Sequence, residues 1–457
     1  METTIAAIST AMSASGIGII RISGKEAMEV ISRIYRSKGG KKKLKEVSTH
    51  TIHYGYIYDG EELIDEVLVM IMKAPRTFTG EDTVEIDCHG GVYAMKRVLE
   101  TVLKNGAKIA EPGEFTKRAF LNGRLDLSQA EAVMDVIQAK NEYALKSSME
   151  QLRGSVLRTV KEIRSRLIYH IAYIESALDD PEHISLDGYP RELSEVVENV
   201  HQEVSNLLKS ADDGKIIQEG IKTVILGKPN AGKSSLLNLL VGENRAIVTD
   251  IAGTTRDILE EYITLHGITL RMADTAGIRE TEDVVEKIGV GKAKETAKDA
   301  DLILYVVDSS LPLDENDEEI ISMLSGRKAI VIYNKTDLSA VVDMEELKKR
   351  TGHPVIPVSA LEETGIQELE EEIRCMFFSG KLSFDDEVYI TNARHKEALE
   401  EAKSSLELVK QSIEMNMPED FFSIDLMNAY ESLGRIVGEA VGEDLVNEIF
   451  SKFCTGK

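Results

Sequence analysis

Apolar residues recur with different periods in successive parts of this chain, and each period predicts its own kind of element. Residues 1–119 hold short β-like runs at Thr4–Ser9, Gly16–Ser23, His50–Tyr58, Glu66–Met72 and Thr83–Cys88, with Asp59-Gly60 as a turn signal between two of them. That pattern predicts a small α/β domain. From about Leu127 the step lengthens to three and four. Leu145, Met149, Leu152, Val156, Val160, Ile163, Leu167, Ile171, Ile174 and Leu178 follow it, and no proline interrupts before Pro181. A long amphipathic helix buried along one stripe is expected there. Leu193, Val197, Val200, Val204 and Leu207 resume the pattern after Pro190.

Residues 216–380 alternate apolar strand-like runs with helical patterns, which predicts a mostly parallel sheet. The strands expected are Lys222–Leu226, Thr269–Ala273, Leu302–Val307, Ala329–Tyr333 and Val355–Val358. After about residue 385 the helical step returns, in Leu399, Ala402, Leu406, Val409 and Ile413, then in Leu426, Ala429, Leu433, Ile436 and Ala440. The economical architecture is multidomain, α/β plus all-α. An α/β domain spans 1–119, a helical domain is built from 120–215 and 381–457, and a Ras-like P-loop domain at 216–380 is inserted into the helical one.

Composition narrows the class. At 457 residues, with 42% hydrophobic and 29% charged positions, the chain reads as a soluble globular protein of several domains. No apolar run approaches the length that spans a bilayer, and Met-Glu-Thr-Thr-Ile at the start has no signal-peptide character. Three cysteines, Cys88, Cys375 and Cys454, lie far apart without metal-ligand spacing, which points to a reducing, cytoplasmic setting. The formal net charge of −25 argues against a broadly cationic surface. A local patch would still suffice for nucleic acid, and the basic run Arg36–Lys45 is a candidate for one, with a solvated loop as the ordinary reading.

Gly227-Lys-Pro-Asn-Ala-Gly-Lys-Ser234 has the phosphate-loop spacing and lies between an expected strand and a helix beginning near Ser235. Its backbone N–H groups would wrap phosphates, Lys233 would reach the β/γ-phosphates, and Ser234 would ligate Mg²⁺. Asp274-Thr275-Ala276-Gly277 follows the second strand, where Asp274 would hold Mg²⁺ through water and the Gly277 N–H would sense the γ-phosphate. Asn334-Lys335-Thr336-Asp337 follows the fourth strand; its carboxylate can accept from both N1–H and the 2-amino group of guanine. Adenine offers neither donor, so ATP would strand that carboxylate. Ser359-Ala360-Leu361 would close over the base. Four such elements in series at strand ends predict GTP binding and hydrolysis. Ile278 stands where Ras-like proteins place a water-orienting glutamine, so another group must serve. Thr255, in Thr249-Asp250-Ile251-Ala252-Gly253-Thr254-Thr255-Arg256-Asp257, fits a switch residue for Mg²⁺.

Asn230 within the phosphate loop, together with Gly253-Thr-Thr-Arg-Asp257, resembles the potassium-activated branch of translation-associated GTPases. The tail Phe453-Cys-Thr-Gly-Lys457 and the segment Pro112–Glu131 resemble signatures of the MnmE (TrmE) family of tRNA uridine-modification GTPases, and the likeness covers the whole chain. The resemblance implies a potassium ion held by Asn230, the Thr249 and Ile251 main-chain oxygens and Thr254. It implies Glu286 as the residue positioning the attacking water, with Arg256 and Arg279 as switch supports; taken without the family, Glu286 is a charged helix residue. It further implies that 1–119 binds 5,10-methylene- or 5-formyl-tetrahydrofolate through Arg21, Glu85, Arg124 and Lys457, and mediates a homodimer. Taken without the family, Glu85 is a solvated edge-strand residue. Arg124 stands where relatives often have lysine, Thr455 replaces a more usual isoleucine, and Met12-Ser-Ala-Ser15 lacks the proline or glycine expected there. Cys454 is either a nucleophile toward C6 of uracil or an inert cysteine in a packed tail.

The partners implied are tRNA and the flavoprotein MnmG (GidA), in a heterotetramer, with FAD and NADH carried by that partner and no membrane involved. Together they would install an aminomethyl-type (carboxymethylaminomethyl) group at C5 of the wobble uridine of certain tRNAs, using a folate one-carbon unit. The alternatives are a ribosome-assembly or other regulatory GTPase of the same branch, whose basic RNA-binding appendage has no counterpart here, and a mechanical GTPase acting on membranes, whose basic amphipathic helix is missing.

Overall fold

The computed structural model describes residues 3–39, 43–243, 261–265, 267–272, 297–378, 389–439, 441–454 and 456, with the side chains of Asp212, Glu243, Glu261 and Glu443 left out. They gather into two compact units. One comprises Met1–Ile137, Gln151–Glu198 and Glu401–Lys457; the other comprises Gln138–Glu150 and Asn199–Glu400.

In the first unit, β1 (Ile5–Ile8), β2 (Ile17–Ser23), β3 (Tyr35–Ser37), β4 (Thr51–Asp59), β5 (Glu62–Met72), β6 (Thr83–His89) and β7 (Lys108–Ile109) form a seven-stranded sheet in the order β3-β4-β5-β6-β2-β1-β7. All pairings are antiparallel except β1 with β7. Alternation decides the faces. Ile20, Ile22, Val69, Ile71, Val84 and Ile86 point under α1 (Ala27–Ile34) and α2 (Val92–Lys104) and are buried with Ile31, Val98 and Val102. The opposite face carries Arg21 and Glu85, directly paired across β2 and β6.

The helical part of this unit holds α3 (Glu114–Leu121), α4 (Leu127–Gln138), the end of α5 (Glu142–Leu152), α6 (Ser155–Asp179), the start of α7 (Tyr189–Glu219), most of α12 (Ala393–Glu414), α13 (Glu419–Val437) and α14 (Glu443–Ser451). The single long helix expected from Leu145 to Leu178 is two. Gly154 adopts φ 85 and leads directly into α6, so the chain turns where the apolar step alone reads straight through. Pro190 does not separate helices; it sits in the first turn of α7, where its missing N–H costs nothing. In the basic run, Arg36 belongs to edge strand β3 and Lys45 to a 3₁₀ turn, Leu44–Glu46.

The second unit is built on a six-stranded sheet, order β13-β12-β11-β8-β10-β9. Its strands are β8 (Ile221–Leu226), β9 (Glu261–Leu265), β10 (Ile268–Met272), β11 (Leu302–Asp308), β12 (Ala329–Asn334) and β13 (Val355–Pro357). All pairings are parallel except the β9–β10 hairpin, an edge strand that the apolar pattern did not predict. β11 and β12 are buried along their whole length, as strands covered on both faces must be. The associated helices are α8 (Lys233–Glu243), α9 (Glu315–Leu324), α10 (Met344–Thr351) and α11 (Ile366–Phe378). Asp314 caps α9 in a reciprocal capping box with Asp317, and Asp343 caps α10.

Candidate functional site

The carboxyl ends of β8 and β12 carry Gly227–Ser234 and Asn334–Asp337, the segments expected to bind phosphates and to read the base, at the sheet edge where open α/β folds hold ligands. Gly227 has φ +153, and a Cβ there would lie 2.5 Å from the Val306 carbonyl oxygen, so the loop leaves the strand where a glycine is required. Asn230 is left-handed at φ 61, a conformation its short side chain tolerates. Lys233 begins α8, and its ammonium donates to the carbonyls of Gly227 and Lys228, each at 2.7 Å. Burial lowers its pKa. Ala231 is buried, while Ser234 and Ser235 are exposed at the helix start.

The Asn334–Asp337 segment is tied to this loop directly. Asn334, 1% exposed, donates from Nδ2 to the Ala231 carbonyl at 2.8 Å and accepts at Oδ1 from the Ala360 N–H at 3.3 Å. Gly232 has φ +102, and a Cβ on it would fall 2.0 Å from Asn334 Nδ2. Lys335 is left-handed at φ 65 and donates to Asp308 Oδ2 at 2.6 Å. Burial pushes the Asp308 carboxyl up, and the Lys335 and Ser310 hydrogen bonds outweigh it, leaving its pKa below the ordinary value. Ser359 is buried, and its hydroxyl donates to Asp337 Oδ1 at 2.7 Å. Asp337, Thr336 and Leu361 are exposed at the rim. The Asp337 carboxylate is oriented by Ser359, and its segment is joined to the glycine-rich loop by Asn334, an arrangement that suits a base carrying two adjacent donors linked to a polyphosphate.

A second constellation lies in the first unit. Arg21 Nε donates to Glu85 Oε1 at 2.7 Å, the guanidinium lies 5.6 Å from the Phe115 ring centroid, and Nη1 reaches the Gly456 carbonyl at 3.3 Å. Ser9 donates to the same carbonyl at 3.2 Å. Gly456 has φ +95, and a Cβ there would lie 2.4 Å from the Ile8 carbonyl oxygen, so the tail threads past β1 at a point open to glycine. Cys454 is exposed, its carbonyl accepting from the Gly113 N–H at 3.3 Å. Burial pushes the Cys88 thiol up to about 12, which removes it as a nucleophile. Arg124 is exposed, donates to the Thr77 carbonyl at 2.9 Å and lines a cavity of about 410 Å³ with Phe78, Gln129, Val133 and Leu152. Neither Arg21 nor Glu85 lines that cavity.

Residues 4–124 match the family profile described as the GTP-binding protein TrmE N-terminus, and residues 127–454 match that of the MnmE helical domain. The chain belongs to the MnmE family of tRNA modification GTPases. The tRNA modification GTPase MnmE of Lachnoclostridium phytofermentans is 61% identical over 454 residues, covering 99% of this chain and 99% of that protein. The MnmE of Geobacillus kaustophilus is 51% identical over 458 residues, with 99% of each covered. That of Bacillus subtilis is 47% identical over 458 residues, covering 99% of this chain and 100% of the relative.

Several residues that the motifs or the MnmE resemblance single out fall outside the described residues: Thr249, Asp250, Ile251, Ala252, Gly253, Thr254, Thr255, Arg256, Asp274, Thr275, Ala276, Gly277, Ile278, Arg279, Glu286, Thr455 and Lys457. Other groups at the sites were missed by sequence reasoning. Asp308 and the Gly456 carbonyl are two. A carboxylate closing a fully apolar strand was the available signal for Asp308; the other depends on tertiary approach.

Proposed function

We propose that this chain is a potassium-activated GTPase that acts with the flavoprotein MnmG on tRNA. Together they add a carboxymethylaminomethyl-type group at C5 of certain wobble uridines, using a folate one-carbon unit. The observation that supports the nucleotide part is the bond from Asn334 to the Ala231 carbonyl across Gly232, which ties the segment bearing Asp337 to the loop expected to bind phosphates.

On this reading the phosphate loop 230–235, the segment 249–255, Asp274–Gly277, Asn334–Asp337 and Ser359–Leu361 surround GTP. Ser234 and Thr255 hold Mg²⁺. Asn230, Thr249, Ile251 and Thr254 hold potassium, an all-oxygen set that suits a hard cation. Held by those residues, the cation would supply positive charge that offsets charge developing on the phosphates, and Glu286 would orient the attacking water. Arg21, Glu85, Arg124 and Lys457 bind the tetrahydrofolate. The Arg21–Glu85 pair fits a pterin, which has an amide-like edge for a carboxylate, and a ligand whose own carboxylates seek cations. The homodimer reading is supported by the second face of the N-terminal sheet, where Ile17, Ile52, Tyr54 and Leu68 are exposed. The four-part division at 1–119, 120–215, 216–380 and 381–457, a heterotetramer with the FAD- and NADH-using partner, and cytoplasmic residence belong to the same reading. No helix among the described residues is long and apolar enough to cross a membrane.

Nucleoside mass spectrometry of total tRNA, from cells with and without the gene, tests the proposal. C5-aminomethyl-type uridines are expected to vanish on deletion and to return with the intact chain. An unchanged profile would sink the modification reading and direct attention to a ribosomal target.

A further inference from the structure

Lys228, the second residue of the phosphate loop, is not free to contact solvent as a variable loop position would be. Its ammonium lies 2.7 Å from Asp317 Oδ2 and 3.0 Å from Asp314 Oδ2. Asp317 is 1% exposed, and its other oxygen accepts from the buried Tyr305 hydroxyl at 2.7 Å. The same two carboxylates form the capping box of α9: Asp314 Oδ1 accepts from the N–H groups of Asn316 and Asp317, and Asp317 Oδ2 accepts from the Asp314 N–H. One rigid helix start therefore holds the lysine, and the strand beneath it, β11, supplies Tyr305. Ion pairs on open surface contribute little, whereas this one is largely shielded from water. Burial works against the ammonium, yet the two carboxylates outweigh it and raise its pKa, so the contact persists throughout the neutral range.

The consequence lies in the backbone. The carbonyls of Gly227 and Lys228 are the two acceptors that orient the Lys233 ammonium, each at 2.7 Å. We infer that Lys228 is a positioning residue of the phosphate loop, clamped by Asp317 and Asp314 so that its peptide aims Lys233 at the nucleotide phosphates. This rests on the GTP reading above and adds to it a brace from the β11–α9 segment. That segment already holds the base-reading loop at its other end, through Asp308 and Lys335.

The test uses the full chain, with affinity for a fluorescent GDP analogue, the KM and kcat for GTP, and the melting temperature measured in parallel. Lys228→Ala is expected to weaken nucleotide binding about tenfold, and Lys228→Arg to restore most of it because a guanidinium can still meet both carboxylates. A double Asp314→Asn, Asp317→Asn variant keeps equally good capping residues and leaves Lys228 in place. It is expected to reproduce the loss, which a lysine that touched phosphate directly would not suffer. Tyr305→Phe should lower the melting temperature while leaving affinity near wild type. Wild-type affinity in Lys228→Ala or in the double variant would overturn the inference. So would a loss that tracks melting temperature alone, with Tyr305→Phe as impaired as Lys228→Ala. A wild-type chain that binds no guanine nucleotide would overturn the GTP reading itself.

Discussion

Asn334 reaches the Ala231 carbonyl through the space that a side chain on Gly232 would occupy. The hydrogen bond is 2.8 Å, and a Cβ on Gly232 would stand 2.0 Å from the donating nitrogen. The Gly227–Ser234 loop and the Asn334–Asp337 segment are thus joined into one assembly. Gly232→Ala should therefore separate them as well as strain a left-handed residue. Its GTP affinity is expected to fall about a hundredfold or more, with melting temperature changed far less. Isothermal titration with a non-hydrolysable GTP analogue checks this.

Asp337 should set the choice of base. Asp337→Asn replaces an acceptor-only carboxylate with an amide that also donates, so guanine loses a partner and xanthine, with a carbonyl at C2, gains one. GTP use is expected to fall by about two powers of ten or more while XTP becomes a substrate. Steady-state hydrolysis of the two nucleotides measures the exchange. A variant that keeps its GTP preference would contradict the assignment.

Potassium dependence should pass through Asn230. Hydrolysis by the wild type is expected to fall in lithium or sodium buffer relative to potassium. Asn230→Ala should lose the difference between the cations while still binding GDP, since the phosphate cradle is made of backbone. Turnover measured across the three salts decides the point.

The tail should matter for folate and not for GTP. Removing Thr455–Lys457 takes away the Gly456 carbonyl that accepts from both Arg21 and Ser9. Binding of 5-formyl-tetrahydrofolate, followed by equilibrium dialysis, is expected to weaken about tenfold or more, with GTP hydrolysis unchanged. Equal folate affinity in the truncated chain would detach the tail from that site.

His170 should make the helical part of the first unit acid-sensitive. It is buried in α6 with Nδ1 2.7 Å from the Tyr189 hydroxyl, and burial depresses its pKa against a smaller opposing pull from Glu192. A depressed histidine contributes stability above its unfolded value near 6.5 and loses it as pH falls through the lower folded value. Melting temperature is therefore expected to drop between pH 7.5 and 5.5, and to drop less in His170→Gln.

Much of this protein is determined locally and is therefore legible in its sequence. Segments that bind phosphate or read a base work through short-range backbone geometry and a few side chains, so those roles are proposed for Gly227–Ser234 and Asn334–Asp337 from spacing, while the buried β11 and β12 are marked by unbroken apolar runs. Apolar periodicity also marks the stripes of α6 and α13. It does not register a change of direction that keeps the same face buried, which is why Gly154 splits a pattern that reads as continuous. What only the tertiary structure decided are the contacts between residues distant in sequence: Arg21 with Gly456, Asn334 with Ala231, Lys228 with Asp317. A lysine in a loop and an aspartate at a helix start are ordinary surface residues until the fold removes water from both. Their energetic weight comes from that desolvation, which no local pattern records.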